Sequence, residues 1–315
     1  MKHLLKIADL SKQEFTDLLN LADQLKYEVR HGIPHPLLQG KSLGMIFQKS
    51  STRTRVSFEV GMYQLGGQAL FLSNRDLQIG RGEPIEDTAR VIGRYLDGIM
   101  IRTFDQSEVE ALAELSGVPV INGLTDYCHP CQILADFMTI REIKKDLEGI
   151  KLCYIGDGNN MCNSYITGAM IMDMDIAVAC PEGYDPSSEV LAMAEAKNAQ
   201  RPGSFRLVRD PKEAAAGADV LMTDVWSSMG QEGEAQERRK AFEGIYQINK
   251  ELCAVAKPDV TVLHCLPAHR EEEITAEVFE AHADEIFEEA ENRLHAQKAV
   301  MVTLMKDFKR EYKEF

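Results

Sequence analysis

The sequence contains no long hydrophobic run, no internal repeat and no low-complexity tract. Its apolar stretches fall well short of the ~20 consecutive residues that a membrane-spanning helix needs. The opening residues Met1-Lys2-His3-Leu4-Leu5 continue into charged residues instead of the apolar core of a signal peptide. We therefore expect a cytoplasmic protein with no membrane partner.

Positive charge is also scarce. The chain has 35 Lys and Arg residues against 50 Asp and Glu residues, which gives a net charge of −15. This balance disfavours nucleic acid and anionic membranes as partners. A small anionic substrate is compatible with it, because a local arginine cluster outweighs a distant and screened negative surface.

The cysteines do not form a disulfide framework. There are seven, an odd number, scattered along the chain, which predicts mostly buried thiols in a reducing compartment. The length of 315 residues, with 44% apolar and 27% charged residues, is typical of a soluble globular protein. A chain of this length favours two domains of roughly 150 residues each.

Short apolar runs alternate with segments of helical periodicity. The runs predict strands at 42–47, 69–72, 98–102, 118–121, 151–155, 176–179, 205–208, 220–223 and 260–264. The periodic segments predict helices at 9–30, with a Ser11–Glu14 capping box, and at 56–65, 84–96, 107–115, 133–145 and about 293–309. This alternation indicates right-handed βαβ units and parallel sheets.

The predicted fold class is α/β, with two domains that are each a parallel sheet flanked by helices and are joined by long helices. We place the domains at 1–140 and 141–292, with a C-terminal helix, about 293–315, packing back on the first domain.

The stretch from Phe47 to Arg55 joins a predicted strand to a predicted helix. A helix start has unpaired backbone N–H groups and a positive dipole end. The hydroxyls of Ser50, Ser51, Thr52 and Thr54 and the guanidinium groups of Arg53 and Arg55 add many donors. This set favours a bound phosphate, although an ordinary N-cap followed by exposed arginines is the alternative.

Three further residues fit a small polar ligand. Arg102 ends a predicted parallel strand, where α/β sheets bind ligands, although a solvated charge is the alternative. His129 and Gln132 lie one helical turn apart and suit a planar amide. The His ring can donate to a carbonyl oxygen, and the Gln amide can form a hydrogen bond with an NH2 group. Cys128 and Cys131 form a C-x-x-C pair, but it follows a pattern unlike that of thioredoxins, which disfavours a redox role.

A glycine-containing turn follows the strand at 151–155. Its sequence, Gly-Asp-Gly-Asn-Asn-Met, has Met161 where a dinucleotide fingerprint has its third glycine, which disfavours NAD binding. Asn159 and Asn160 open the next helix, where they could cap it or reach a ligand carboxylate.

The last two polar candidates also follow predicted strands. Asp224 could hold an ammonium group or act as an N-cap. Cys265, close to an acid such as Asp224, could orient an attacking amine or be a small buried hydrophobe. Zinc bound by His264, Cys265 and His269 is disfavoured, because no second spaced ligand pair exists.

Four motifs together resemble the aspartate/ornithine carbamoyltransferase family, and they cover essentially the whole chain in family order. They are Ser51-Thr52-Arg53-Thr54-Arg55, His129-Pro130-Cys131-Gln132, Asp224 through Ser228-Met229-Gly230, and His264-Cys265-Leu266-Pro267. The last two are typical of the ornithine-specific branch.

The resemblance implies transfer of a carbamoyl group from carbamoyl phosphate to the δ-amine of L-ornithine, giving L-citrulline and phosphate, a reaction of arginine metabolism. It implies no metal or organic cofactor and a homotrimer with sites at subunit interfaces. A biosynthetic or catabolic role, and assemblies larger than the trimer, stay open. The alternatives are a carbamoyltransferase for another amine and a catalytically silent family member.

The resemblance also implies a role for each matching residue. Carbamoyl phosphate would contact Ser51, Thr52, Arg53, Thr54, Arg102, His129, Gln132, Cys265, Leu266 and Arg293, and also Gln78 from or near a neighbouring subunit. Ornithine would contact Asn160, Asp224, Ser228 and Met229. The catalytic residues would be Arg102, His129, Asp224 and Cys265. Domain closure and movement of the loop 227–230 would exclude water.

Overall fold

The computed structural model describes residues 1–75, 77–228, 230 and 232–309. The chain folds as two compact units, each of which has its own sheet. The first unit contains Met1–Leu134 together with the chain from Arg293 onward, and the second contains Ala135–Asn292. Both divisions fall inside long helices, the first of them near the predicted limit at residue 140.

The first unit is a four-stranded parallel sheet with flanking helices, which confirms the predicted fold class for this half. Its elements are α1 (Lys12–Arg30), β1 (Ser42–Phe47), α2 (Thr52–Gln64), β2 (Gln68–Ser73), α3 (Ile85–Ile92), β3 (Gly98–Arg102), α4 (Gln106–Leu115), β4 (Val120–Leu124) and the start of α5 (Pro130–Lys144). The strand order is β2-β1-β3-β4. Every residue of β3 is buried, as expected of a central parallel strand.

The second unit is a five-stranded parallel sheet with strand order β7-β6-β5-β8-β9. Its elements are β5 (Lys151–Ile155), α6 (Asn160–Ile171), β6 (Asp175–Ala179), α7 (Ser188–Gln200), β7 (Phe205–Val208), α8 (Pro211–Ala215), β8 (Val220–Thr223), α9 (Ala235–Phe242), α10 (Lys250–Cys253), β9 (Thr261–His264) and α11 (Ala276–Ala281). Helix α12 (Ala283–Met305) begins in this unit and continues from Arg293 in the first unit.

Several predicted boundaries were wrong, for local reasons. The first helix begins at Lys12 instead of residue 9, because Ser11 and Glu14 form the capping box that starts it. Helix α2 begins at Thr52 instead of residue 56, because the Ser51 hydroxyl accepts a bond from the Thr54 amide. The anion-binding motif therefore lies in the first turn of α2.

Other boundaries moved at Pro and Gly or near acidic residues. Strand β4 begins at Val120, because Pro119 has no N–H to donate to the ladder. Helix α3 ends at Ile92 before Gly93, where an added Cβ would lie 1.9 Å from the Ser116 carbonyl oxygen. Helix α12 begins ten residues before the predicted start, with acidic residues in its first turn that complement the helix dipole.

The strand order reverses once in each sheet, between β1 and β3 in the first unit and between β5 and β8 in the second. The chain leaves these two neighbouring strands in opposite directions, which opens a crevice beyond their carboxyl ends. Each unit therefore has one topological position for a ligand. Within the described residues, no helix combines the length and apolar character needed to cross a bilayer.

Candidate active site

The loop after β1 is fixed to the end of β3. The backbone amides of Gln48 and Lys49 both donate to the Arg102 carbonyl oxygen, at 2.9 and 3.4 Å. The Ser51 Oγ then caps α2 by accepting from the Thr54 N–H at 3.2 Å. These bonds place the first turn of α2 at the topological switch point of the sheet, where its positive dipole end and its hydroxyls favour an anion.

Three guanidinium groups surround His129, which is almost completely buried just before α5. Burial lowers the pKa of His129 well below its ordinary value of 6.5, and the positive charges of Arg293, Arg102 and Arg53 lower it further. The imidazole is therefore neutral at physiological pH. A neutral ring can donate one N–H to a carbonyl oxygen without adding a charge of its own.

Arg293 joins three helices of the first unit. Its Nη1 donates to Gln132 Oε1 at 2.5 Å, and its Nη2 donates to Thr54 Oγ1 at 3.2 Å. All three side chains are nearly inaccessible to solvent. We predicted that the Gln132 amide binds an NH2 group of the ligand. Its oxygen already accepts a hydrogen bond from Arg293, so a bond from a ligand NH2 group would use the second lone pair of that oxygen.

The structure does not bring Gln78 into this set. Its side chain is exposed on a 3₁₀ helix, Gln78–Arg81, that follows the edge strand β2. Thr52 is also exposed. The first half-site, meaning the set that the first unit does assemble, consists of Ser51, Arg53, Thr54, Arg102, His129, Gln132 and Arg293.

Asp224 lies at the corresponding position in the second unit, directly after β8. Its Oδ2 accepts from Asn159 Nδ2 at 2.8 Å, across the switch point between β5 and β8. The Asn159 Oδ1 caps α6 by accepting from the amides of Met161 and Cys162. Asn160 is the first residue of α6. Sequence reasoning could not decide which asparagine caps the helix, and it missed the contact of Asn159 with Asp224.

Cys265 follows β9 and contacts the other oxygen of the same carboxylate. Its Sγ donates to Asp224 Oδ1 at 3.2 Å, and the Val225 amide donates to that oxygen at 2.8 Å. Burial, followed by the negative charges of Asp224, Glu289 and Asp136, raises the pKa of the Cys265 thiol well above its ordinary value. The thiol is therefore a neutral donor that helps to orient Asp224, not a thiolate nucleophile.

Arg238, which sequence reasoning also missed, connects two loops of the second unit. Its Nη1 donates to Asp157 Oδ2 at 2.7 Å and to the Trp226 carbonyl oxygen at 3.2 Å. Its Nε donates to Glu234 Oε2 at 3.2 Å. Burial raises the pKa of Asp157 to about 6, although Arg238 opposes that shift. The guanidinium thereby holds the turn after β5 beside the segment that leads to Ser228.

The structure joins Asn159, Asp224 and Cys265 by hydrogen bonds, and we define the second half-site as these three together with the predicted residues Asn160, Ser228 and Leu266. Ser228 is half-buried. Leu266 has a positive φ of 60°, and its amide donates to His264 Nδ1 at 2.9 Å. Met229 lies outside the described residues.

The alternative interpretations of these motifs do not fit the structure. Burial raises the pKa of both Cys128 and Cys131 to about 12, so neither is the thiolate that disulfide exchange needs. Both ring nitrogens of His264 have protein partners, Leu266 N and Glu273 Oε1, which excludes it as a zinc ligand. Two helix-start amides that a dinucleotide would use in α6 are bonded to Asn159.

Comparison with known proteins agrees with this two-unit arrangement. Residues 2–142 match the family described as aspartate/ornithine carbamoyltransferase, carbamoyl-P binding domain, and residues 148–304 match its Asp/Orn binding domain. The chain is 55% identical to the ornithine carbamoyltransferase of Carboxydothermus hydrogenoformans, over 96% of this chain and 97% of that protein.

Solved structures give the same result. The ornithine carbamoyltransferase from Pyrococcus furiosus superposes with a TM-score of 0.92 at 51% identity, covering 98% of each chain. The anabolic ornithine carbamoyltransferase from Campylobacter jejuni superposes with a TM-score of 0.91 at 46% identity, covering 96% of this chain and 99% of that one. The chain belongs to the aspartate/ornithine carbamoyltransferase family.

Proposed function

We propose that this protein transfers the carbamoyl group of carbamoyl phosphate to the δ-amine of L-ornithine, giving L-citrulline and phosphate. The observation that carries this proposal is the neutral His129 among Arg53, Arg102 and Arg293 at the switch point of the first sheet. Three cations suit a doubly charged phosphate, and a neutral donor suits the carbonyl group attached to it.

The phosphate occupies the first turn of α2. Ser51, Thr52, Arg53 and Thr54 supply hydroxyl, amide and guanidinium donors there, and Arg293 completes the cationic set. Because these groups already neutralise the leaving phosphate, its departure needs no strong general acid. The proposed reaction uses neither a metal nor an organic cofactor.

The carbamoyl group lies against Arg102, His129 and Gln132. Attack on its carbon turns the carbonyl oxygen into an oxyanion, which Thr54, Arg102 and His129 stabilise through hydrogen bonds that strengthen as the charge develops. The Gln132 oxygen accepts from the NH2 group. Fixed donors of this kind need no reorganisation during the reaction, which lowers the barrier.

Ornithine is held by the second half-site. The Asp224 carboxylate accepts from an ammonium group at the amino-acid end, and Asn160, Ser228 and Met229 bind the remainder of that end. Cys265 and Leu266 lie beside the reacting amine. Free alkyl ammonium groups have a pKa near ~10.4, so the nucleophile must lose a proton before attack. The positive charges of the Arg side chains that bind carbamoyl phosphate lower the pKa of the nearby ammonium group and so favour that loss.

The functional domains are 1–140, with the C-terminal helix, for carbamoyl phosphate and 141–292 for ornithine.

The protein acts in the cytoplasm as a homotrimer. Val56, Val60 and Tyr63 on α2 and Leu70 and Phe71 on β2 are exposed, and such an apolar surface supports association between copies. The exposed Gln78 then reaches the site of a neighbouring copy. Native mass spectrometry at micromolar concentration tests the trimer, and a monomer would contradict it.

A citrulline assay tests the function. Purified protein is incubated with carbamoyl phosphate and L-ornithine, and with aspartate, putrescine or N-acetylornithine in place of ornithine. We expect product only with ornithine. Turnover of another amine would replace the substrate assignment while keeping the carbamoyl transfer. No turnover with any amine, combined with retained binding of carbamoyl phosphate, would support a catalytically silent member.

The pH profile tests the state of His129. Because its pKa lies well below 6.5, the ring is neutral throughout pH 6.5–9. We expect kcat/KM for carbamoyl phosphate to show no titration step from this residue in that range. His129→Asn, which keeps an N–H donor, should lower the rate roughly tenfold and leave the profile's shape unchanged. An acidic limb near pH 6.5 that disappears in His129→Asn would contradict a neutral ring.

Replacing Arg238 by methionine tests whether this guanidinium holds the turn after β5, at Asp157, beside the segment that contains Trp226 and leads to Ser228. Methionine keeps the aliphatic stem and removes the guanidinium, so KM for ornithine should rise about three- to tenfold while KM for carbamoyl phosphate stays constant. The adjacent Arg239→Met is the matched control, because Arg239 is exposed and paired with Glu243, the residue that follows the end of the same helix.

Stability should respond to Arg238→Met in a pH-dependent way. Below about pH 6 the Asp157 carboxyl is protonated in both proteins, so the loss in unfolding free energy comes mainly from the bonds to Trp226 and Glu234 and is nearly independent of pH. Above pH 6 the native variant retains a proton that the unfolded chain lacks, and the loss grows by up to about 1.4 kcal/mol per pH unit. Urea unfolding from pH 5 to 8 measures this. A loss independent of pH would contradict the pairing.

A further inference from the structure

We propose that Gln297 is a positioning residue for the phosphate-binding half of the site. This inference rests on the proposed function, because it concerns the role of Arg293 in binding phosphate. Gln297 lies on α12, one turn after Arg293, and its side chain is fully buried. The four motifs of the family resemblance do not include it.

Gln297 connects Arg293, through Ser57, to the backbone of the first turn of α2. Its Oε1 accepts from Arg293 Nε at 3.0 Å, and its Nε2 donates to Ser57 Oγ at 2.6 Å. The Ser57 hydroxyl lies 2.6 Å from the Arg53 carbonyl oxygen and 3.2 Å from that of Thr54, both of which accept from it. The chain of bonds therefore runs from Arg293 to the backbone of the first turn of α2.

We call this chain of hydrogen bonds, from Arg293 through Gln297 and Ser57 to the α2 backbone, the relay. Every donor in it faces an acceptor. A glutamine amide has one acceptor oxygen and one NH2 donor, and a serine hydroxyl has one donor proton and two acceptor lone pairs. Gln297 uses its oxygen on the guanidinium and its NH2 group on Ser57. Ser57 uses its proton on the helix carbonyls and a lone pair on Gln297. Exchanging either residue for an apolar one breaks the relay.

Close packing keeps the two helices in register. An added Cβ at Gly61 on α2 would lie 2.9 Å from Met301 Cε and 3.1 Å from Lys298 Cγ on α12. The helices therefore approach each other closely near the relay. Gln297 itself is completely buried on the same helix, so its amide has little room to move and fixes the guanidinium that it contacts.

The neutrality of the glutamine matters for the ligand. Gln132 Oε1, Thr54 Oγ1 and Gln297 Oε1 all hold the Arg293 guanidinium, and none of the three acceptors carries a formal charge. These three contacts fix the position of the guanidinium and add no negative charge to its surroundings. A carboxylate at position 297 would form the same contact to Nε and would compete with a phosphate for the charge.

The test compares four variants, the single changes Gln297→Met, Gln297→Glu and Ser57→Ala and one double variant, by calorimetry with inorganic phosphate and by steady-state kinetics. Gln297→Met should raise the Kd for phosphate and KM for carbamoyl phosphate roughly tenfold, with KM for ornithine within about twofold. Gln297→Glu should weaken phosphate further, although it preserves an acceptor for Arg293. Ser57→Ala combined with Gln297→Met should cost no more than the larger single change, because both act through one relay.

Gln13→Met is the matched control, since Gln13 is exposed on α1 and bonded to Asp17. Wild-type phosphate affinity in both Gln297→Met and Gln297→Glu would overturn the inference, as would equal losses for phosphate and ornithine. If Gln297→Met does not fold, Ser57→Ala carries the same test from the other end of the relay.

Arg293→Lys separates this inference from the proposed function. Unchanged phosphate affinity in Arg293→Lys would remove Arg293 from the phosphate site, and the proposed site would be wrong. Weakened phosphate binding in Arg293→Lys with wild-type binding in the Gln297 variants would overturn only the positioning role.

Discussion

Replacing Arg53 by alanine is expected to lower kcat/KM for carbamoyl phosphate about a hundredfold or more, a loss of about 3 kcal/mol of transition-state stabilisation. Arg53 lies in the first turn of α2, and its charge is one of three that depress the pKa of His129. The developing charge on the leaving phosphate increases the demand for this cation in the transition state. KM for ornithine should change little.

Two comparisons sharpen the Arg53 experiment. Arg90→Ala serves as the control, because Arg90 is exposed and paired with Asp87 at 3.2 Å on α3. The His129 pKa, followed by NMR titration, should move toward 6.5 in Arg53→Ala, because one of its positive neighbours is removed. A change in kcat/KM below about threefold would exclude Arg53 from the phosphate site.

Replacing Asp224 by asparagine is expected to raise KM for ornithine by roughly 10- to 150-fold, which corresponds to the ~1.5–3 kcal/mol of a hydrogen bond to a charged group. The substitution removes the negative charge that accepts the substrate's ammonium group. The new amide has a single oxygen, and when that oxygen keeps the bond from the Val225 amide, its NH2 group faces the NH2 group of Asn159, which donates to Asp224 Oδ2 at 2.8 Å in the parent protein. Binding of carbamoyl phosphate, measured by calorimetry, should be nearly unchanged.

The double variant Asn159→Asp with Asp224→Asn separates the lost charge from the lost hydrogen bond. Aspartate at position 159 still accepts from the Met161 and Cys162 amides as an N-cap, and its second oxygen accepts from the new side-chain amide at position 224. Stability should recover, while ornithine affinity stays low because the charge has moved. Full recovery of affinity would show that the contact alone matters, and equal loss of both substrates in Asp224→Asn would contradict separate half-sites.

Sequence patterns predicted most of the strands of both sheets. The segments 42–47, 98–102, 151–155, 205–208 and 220–223 appear in the structure with the predicted limits. Four of these strands, at 42–47, 98–102, 151–155 and 220–223, are largely buried, and their apolar composition shows it, whereas the edge strand 205–208 contains Arg206 and is only partly buried. Helix ends were predicted less well, because they depend on individual caps such as Ser51.

The candidate site was predictable where a residue sits at the carboxyl end of a parallel strand. Arg102, Asp224 and Cys265 all occupy such positions, and the edge at which parallel strands end follows from their direction. Arg238 and Gln297 were not predictable as site residues, and neither was the contact of Asn159 with Asp224. Their roles depend on contacts with Asp224, Asp157 and Ser57, which lie 65, 81 and 240 positions away in the chain.

The sequence alone determined which functional groups the site contains: hydroxyl and guanidinium groups at a helix start, a histidine one turn from a glutamine, and an acid and a cysteine after strands. Only the tertiary structure decided the protonation states of the histidine and the cysteine. His129 is neutral because burial and three arginines, 27 to 164 positions away in the chain, oppose its protonation. Cys265 stays a thiol because burial and, after it, the charges of nearby acids oppose its ionisation. Charge interactions depend on distance in space and on exclusion of water, and neither can be read from the order of residues.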